Sequence, residues 1–399
     1  MSSRVNLMAP EVRANPYPVY AELRRNAPVC QVDPGGRWVV SRYDDVLAVL
    51  KNPQIFSSTG IGRSSQPAWL GRNNPLADSM LVMDPPKHGR LRTLVSRAFG
   101  NQSVSRLEPR IRAIAEQLAA ELPTGQSVDF VQAFALPLPS RILTDMLGLD
   151  VSLYPHFKRW SDDIVGTGAV TADDHVRHAQ VRTTVDEMDR YLGAVLQDRR
   201  RQPTDDLVSD LVRAQVDGES LGDREILGFL CLLLVAGLET TVHLLSNSIS
   251  ILMEHPDVLR RLKADRSLIP QFVEEVLRYD SPAHGAARMT TAEVEVAGVK
   301  LPAQTPVVVL LASACRDERY FPEPDRFDLD RKVTNHITSF GYGPHFCLGA
   351  HLARLEGKLA LEALLPRIAG LSRGEGTVEW NTSMIVRGPT RLPVRVHPA

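Results

Sequence analysis

The chain has 399 residues, 43% of them hydrophobic and 23% charged, which is the balance of an ordinary globular protein with ample core material. Lys plus Arg number 46 and Asp plus Glu 47, a formal net charge of −1, which argues against non-specific nucleic-acid binding, a property that needs a positive excess. The four cysteines, Cys30, Cys231, Cys315 and Cys347, form no CxxC pair, so a zinc or iron–sulfur site of the usual spacing is not expected.

In chain order, the opening "MSSRVNLMAPEVRANPYPVY" has no apolar core and no signal pattern. With the scarcity of cysteine, this fits a cytoplasmic protein. Next, "PVCQVDPGGRWVVSRY" holds two β-type runs around Asp33-Pro34-Gly35-Gly36, a hairpin signal. From Ser57 to Ser79 the chain is rich in Gly, Ser, Asn and Pro, and reads as a long loop that serves as a lid. From Pro85 to about Leu277 most of the chain is expected to be helical, including "RIRAIAEQLAAEL" and "TVDEMDRYLGAVLQDRRR". The longest uncharged apolar run, Ile226 to Leu238, has 13 residues. A bilayer needs about 20, so the run reads as a core helix and no membrane span is expected. From Glu293 strands return in "EVEVAGVKLPAQTPVVVLLASA", and "RLPVRVH" is a last strand. No repeat and no linker divides two compositions, so residues 1–399 read as one domain, mainly α with small β-sheets (α+β).

Four stretches carry chemistry. In "FGYGPHFCLG" the glycines Gly341, Gly343 and Gly349 clear side-chain bulk around Cys347 and allow positive φ. Backbone N–H groups and a helix starting near Leu348 would favour a thiolate there, able to ligate a metal held in a large planar cofactor. In "AGLETT", Glu239 is an acid within an apolar helix, where Gly237 and Thr240 are expected to loosen the helix and open a groove. In "EEVLRYDSP", Glu275 and Arg278 lie at i and i+3 and can pair. In "MDPPKHGRLRTLVSRAF", a helix starts near Asp84 and places His88 and Arg92, at i and i+4, on one face.

Together these stretches resemble the cytochrome P450 family, and the resemblance runs from "NPYPVYAELRRNAPV" to "LPVRV". It implies the single-domain P450 fold over residues 1–399, with haem between the oxygen-activating helix and the cysteine-ligand loop. It implies Cys347 as the iron ligand, and His88, Arg92, Arg288 and His345 as donors to the haem propionates. Ala236, Phe340, Gly341 and Gly349 would line the haem. Glu239 and Thr240 would be the catalytic pair that relays protons to dioxygen. Glu275, Arg278 and Arg326, the last from "PDRF", would form a structural cluster fixing the approach to the cysteine loop. Two departures stand out: Cys315, where the family often has Asn, and Glu239, where it more often has Asp.

The function so implied is a haem-thiolate monooxygenase that inserts one oxygen atom from O2 into a small apolar organic substrate by hydroxylation or epoxidation. Its cofactor would be haem b (iron protoporphyrin IX). No flavin or iron–sulfur segment is evident, so electrons would come from NAD(P)H through a separate ferredoxin and ferredoxin reductase. His351, Arg354 and Lys358, after the cysteine, could attract such an acidic partner. The family's substrate-facing segments correspond to Ser57–Val82, about Ile164 to Thr171, Leu232–Ala236, Ala283–Ala287 and Met384–Val386. Val82, Val235, Ala236, Ala283, Ala286, Met384 and Ile385 are the contacts implied. They are small and apolar, which suits a polyketide, macrolide or terpenoid of bacterial secondary metabolism. A fatty-acid or steroid hydroxylase is the alternative substrate reading. A peroxygenase would not need Glu239 and Thr240, and a non-catalytic haem sensor or carrier need not keep them. The protein is expected to be a monomer.

Overall fold

The computed structural model describes residues 4–399 except 65, 73, 97, 98, 168, 169, 172, 217 and 333–335, and leaves the side chains of 63, 64, 101–103, 151, 154, 155 and 165 undescribed. Contacts divide the chain into two compact units, one of Met1–Phe56, Glu108–Leu138 and Thr240–Ala399, the other of Ser57–Leu107 and Pro139–Glu239.

The first unit contains the main sheet. Val29–Val32 and Arg37–Val40 pair antiparallel from Val29 opposite Val40 to Val32 opposite Arg37. The turn between them works because Gly35 and Gly36 take φ of 82° and 61°, which only glycine adopts at no steric cost. Pro306–Val309 then adds parallel to Arg37–Val40 and antiparallel to Ala286–Thr290. Alternation along these strands sends Val32, Val39 and Val308 into a core shared with Tyr17, Tyr20 and Leu23 of the helix Tyr17–Asn26. The expected final strand is found as Pro393–Pro398, paired with Ile368–Arg373 and Ser127–Asp129.

One strand expectation fails. Where a strand is expected to end in "LASA", Leu311–Ala314 is a short helix with all four residues buried. An apolar run buried on every side carries no periodicity to separate the two states.

The second unit is mostly helical. Tyr154–Gly166 packs against His175–Arg201, where buried Asp163 accepts from Thr184 and from Arg177, the latter at 2.7 Å. The lid segment is more ordered than a loop. It forms a helix over Thr59–Ser64 and short 3-10 turns at Ala68–Leu70, Pro75–Asp78 and Met80–Val82. Two fastenings explain this. Asp84 accepts from Ser57 Oγ at 2.5 Å, Ser58 N at 2.8 Å and Thr59 N at 3.4 Å, capping the Thr59–Ser64 helix from 25 residues downstream. Burial pushes the Asp84 carboxyl up, but these donors outweigh it and hold it below the usual carboxylate range. Further along, Trp69 stacks on His178 with ring centres 4.2 Å apart, and Arg72 pairs with Asp186 and Asp189. All three partners lie on the helix His175–Arg201.

The helix Asp223–Glu254 has 32 residues, with a mean hydropathy of 1.9 over its most apolar window. By length and composition it could cross a membrane, but 61% of that window is buried inside the protein. Leu230, Cys231, Leu234 and Leu238 are fully buried, as a core helix requires.

Candidate active site

The cysteine loop belongs to the first unit. It begins with a 3-10 turn over Thr338–Phe340 and reverses at Gly341, whose φ is 71°. A second turn spans Gly343–His345. Gly343 has φ of 70°, and a Cβ there would stand 2.8 Å from the Leu50 carbonyl oxygen, so glycine is required on two grounds. Cys347 N–H donates to the Phe340 carbonyl at 2.9 Å, which closes the loop. The following helix starts at Ala350 with Gly349 as its cap residue, two residues later than expected, and its positive end lies just past the sulfur.

Exposure separates the cysteines. Cys231 and Cys315 are fully buried, whereas Cys347 is exposed. A Cβ on Gly349 would meet nothing within 4 Å, and one on Gly341 would meet only the His345 carbonyl at 3.7 Å. An accessible thiol flanked by cleared backbone is a cradle that fits a planar, metal-bearing group, so the residues present suit a haem.

Cys315 has found a use in this unit. Its sulfur lies 3.3 Å from Thr338 Oγ1 and 3.4 Å from Ser339 Oγ. Those hydroxyls in turn donate to the carbonyls of Leu311 and Leu277. The position where the family often has Asn still steadies the start of the cysteine loop, through a thiol.

The helix Ile269–Tyr279 supplies the second constellation. Arg278 is fully buried, and Glu275 is 2% exposed. Arg278 Nε and one terminal nitrogen both donate to the Glu275 carboxylate at 2.8 Å, a bidentate pair. Its remaining donors reach the carbonyls of Cys315, Pro324 and Arg326 at 3.3, 2.9 and 3.2 Å. The third arginine is not the one expected. Arg326 points its side chain outward, 58% exposed, to Glu323 and Asp328. Arg331 takes the place: its Nε donates to Glu275 at 3.1 Å, and its other nitrogens hold the carbonyls of Pro322, Glu323 and Arg326. The correction has a physical cause. Residues 322–331 curl so that their carbonyls converge on the two buried guanidiniums. Arg326 contributes its carbonyl to that convergence, which leaves its side chain on the outer surface.

The long helix runs without interruption through "AGLETT", so the expected loosening is not found. A Cβ on Gly237 would be in ordinary contact with Leu143 at 3.5 Å, so Gly237 marks no close approach. What the helix does show is a less covered stripe. Leu232, Val235, Glu239 and Thr240 are half-buried and Ala236 is exposed, while Leu234, Leu238 and Thr241 are buried. Spacings of three, four, seven and eight residues put Leu232, Val235, Ala236, Glu239 and Thr240 on one face.

Of the four expected propionate donors, His88 and Arg92 lie one turn apart on the second unit's helix Lys87–Ser96, with His88 buried. Arg288, 7% exposed, sits in the strand Ala286–Thr290 opposite Val307, and His345 ends the turn Gly343–His345, both in the first unit. Each of the four makes further interactions within the protein.

Of the expected substrate residues, Ala283 bridges Val386, and the Ile385 carbonyl accepts from His284 and Gly285 at 2.7 and 3.0 Å. The first unit thus brings the segment Ala283–Gly285 against Met384 and Ile385, while Ala286 begins its strand opposite Val309. Val82 and Val235 belong to the second unit. In the same expectation, Ser65, Asn73, Gly168 and Ala169 lie outside the described residues. The basic face after the cysteine is weaker than expected: Arg354 pairs with Glu274 and stacks 4.4 Å from the Phe340 ring, and Lys358 lies 3.7 Å from Glu362.

Comparison with known proteins bears on the same features. A family model described as cytochrome P450 matches residues 5–371. The chain belongs to the cytochrome P450 family. The solved structure of cytochrome P450 CYP109Q5 from Chondromyces apiculatus superposes with a TM-score of 0.91 at 42% identity, covering 100% of both chains. CYP109E1 from Bacillus megaterium in complex with testosterone gives 0.83 at 36% identity, covering 96% of this chain and 99% of that one. Mycinamicin IV hydroxylase/epoxidase of Micromonospora griseorubida is 38% identical over 383 residues, 94% of each protein. This P450 is accordingly an oxidoreductase of the monooxygenase class, with haem and O2 as the family's reagents.

Proposed function

We propose that this P450 is a single haem-b domain over residues 1–399 that hydroxylates or epoxidises an apolar organic metabolite of the macrolide or polyketide class. The observation that carries the reading is the exposed Cys347 thiol in its glycine-cleared loop at a helix start. When bound, the haem would supply the redox-active iron at which O2 is activated. Cys347 would hold that iron through its sulfur. His88, Arg92, Arg288 and His345 would serve as charge-assisted donors to the propionates. Ala236, Phe340, Gly341 and Gly349 would leave room for the ring. Glu239 takes protons from solvent and Thr240 passes them to the oxygen side of the helix.

Electrons come from NAD(P)H through a ferredoxin and its reductase. The surface beside Arg354 and Lys358, with a groove of about 370 Å³ that also includes Glu274, is the docking face. Its cations are partly neutralised, so this face contributes orientation more than long-range attraction. The protein works as a cytoplasmic monomer.

The substrate class rests on the small apolar side chains that the family resemblance assigns to substrate, Val82, Val235 and Ala236 in the second unit and Ala283 and Ala286 in the first, which offer few polar anchors. The hydroxylase/epoxidase of mycinamicin IV among the relatives supports a macrolide. A steroid is the second reading, favoured by the testosterone complex of a solved relative. Titrating the haem-loaded protein with a macrolide and with testosterone tests both. A spin-state shift with the macrolide, followed by heavy oxygen from labelled O2 in its product, is expected. A shift with testosterone alone would transfer the assignment to the steroid class.

Thr240→Ala is expected to keep haem and substrate binding while diverting reducing equivalents to peroxide. The ratio of product to NAD(P)H consumed measures this, and an unchanged ratio removes Thr240 from the proton path.

A further inference from the structure

The turn that carries Met384 and Ile385 is fastened from the opposite end of the chain, 368 residues away. Residues 381–388 form a loop with its ends tied together. Asn381 N–H donates to the Gly388 carbonyl at 3.2 Å, and Gly388 N–H to Asn381 Oδ1 at 3.4 Å. Inside it, Ser383 Oγ accepts from the N–H groups of Ile385 and Val386 at 3.2 and 3.3 Å. Arg13, on the short helix Pro10–Ala14 and 5% exposed, grips this loop at two points. Its Nε donates to the Asn381 carbonyl at 3.1 Å. One terminal nitrogen donates to Asn381 Oδ1 at 2.6 Å and to the Val386 carbonyl at 3.2 Å. Asn381 Nδ2 donates to that same carbonyl at 3.2 Å. The grip is returned from the loop: Arg387, also buried, donates to the carbonyls of Arg13 and Ala14 at 2.8 and 2.7 Å and to Asp280 at 2.7 Å.

The base of the loop is closed against the long helix as well. A Cβ on Gly388 would stand 2.2 Å from the His243 ring, so only glycine fits, and Asn381 Nδ2 lies 3.3 Å from His243 Nε2. Base and tip differ sharply in cover. Asn381, Arg387 and Gly388 are buried, whereas Met384 is half-buried and Ile385 is 38% exposed. An isoleucine is among the side chains most often buried, so a tip held uncovered above a locked polar base is a contact made ready for a ligand. The choice of arginine for the lock fits that purpose. Taking a guanidinium out of water costs free energy that its hydrogen bonds must offset, but its planar fork fixes the spacing of the oxygens it holds.

We propose that Arg13 is a positioning residue for the substrate: by clamping Asn381 and Val386 it sets where Met384 and Ile385 stand, and so the shape of the apolar wall they form. The proposal rests on the reading of Met384 and Ile385 as substrate contacts given above. Replacing Arg13 by Met leaves the Val386 carbonyl to the Asn381 amide alone and releases Asn381 from the N-terminal helix, so the tip loses its fixed position. Replacing it by Lys keeps the charge but not the fork, so one grip is kept and the other lost.

The test titrates the haem-loaded protein with N-alkylimidazoles running from methyl to decyl, following the Soret shift as each ligates the iron. The methyl member reads access to the iron, and the gain in affinity with chain length reads the apolar wall. Ile385→Ala should weaken the longer members by about tenfold, the scale of one lost apolar contact in a pocket, and leave the methyl member unchanged. Arg13→Met should do the same, and Arg13→Lys should fall between it and wild type. In an Ile385→Ala background, Arg13→Met should add little, because both act through one tip. Arg24→Met is the control for general loosening. Arg24 is equally buried near the N-terminus but is held by Glu318 and Ser313, so its loss should lower the denaturant midpoint and leave the length profile intact. If Ile385→Ala changes the profile and Arg13→Met does not, the role of Arg13 fails alone. If neither Ile385→Ala nor Met384→Ala changes it, the substrate-facing reading fails and takes the proposal with it. An Arg24→Met profile as distorted as that of Arg13→Met, or full additivity of Arg13→Met with Ile385→Ala, also overturns the proposal. Should Arg13→Met not fold, Arg13→Lys and Asn381→Ala carry the same comparison.

Discussion

Cys347→Ser is expected to remove the red-shifted Soret band that a thiolate-ligated haem gives when reduced and bound to carbon monoxide, and to reduce monooxygenation to background. The hydroxyl is isosteric and leaves the loop's backbone bonds in place, including Cys347 N–H to Phe340 O at 2.9 Å. What is lost is the ionised sulfur. Serine does not ionise near neutral pH, even at the positive end of the helix Ala350–Leu364, an effect worth only about 0.3–1 kcal/mol at an exposed position. Without the thiolate, the electron push that favours O–O cleavage disappears. Cys231→Ser is the matched control. Burial pushes the Cys231 thiol up to about 12, so it cannot stand in as a thiolate, and the band should persist in that variant. A band retained by Cys347→Ser would mean that another residue ligates the iron.

The cysteine loop was legible in the sequence because its chemistry is local. Gly341 and Gly343 are needed for their own φ, and Cys347 sits within the same ten residues. The hairpin at Gly35-Gly36 was legible for the same reason. Readings failed where the deciding partner was distant. The Thr59–Ser64 helix was hidden because its cap is Asp84, and the identity of the third arginine was hidden because it depends on how residues 322–331 curl around Glu275. "PDRFDLDR" holds two arginines five residues apart, and the spacing alone does not say which one turns inward. A motif match chose Arg326, whereas convergence of carbonyls chose Arg331.

The cluster around Glu275 gives the largest stability prediction. Glu275→Gln should destabilise the protein by about 3–5 kcal/mol, because it leaves the fully buried Arg278 and the nearly buried Arg331 without their shared counter-charge. The backbone N–H of Asp328, which donates to the same carboxylate at 3.0 Å, would be weakened as well. Arg331→Ala should be nearly as harmful, since one side chain holds Glu275 and three carbonyls of residues 322–326. Arg326→Ala should cost no more than about 1 kcal/mol, the range of an exposed ion pair. Denaturant midpoints rank the three variants, and equal damage from Arg326→Ala and Arg331→Ala would refute the assignment of Arg331. The consequence reaches the reaction centre through the chain itself. Residues 322–331 lead toward Thr338, whose hydroxyl, with that of Ser339, anchors the cysteine loop to Leu311 and Leu277. When the curl opens, that anchor loosens, and Cys347 loses the fixed backbone that keeps its sulfur at the helix start. Glu275→Gln and Arg331→Ala should therefore lose the thiolate band at lower denaturant than they lose helical signal, whereas Arg326→Ala should lose both together.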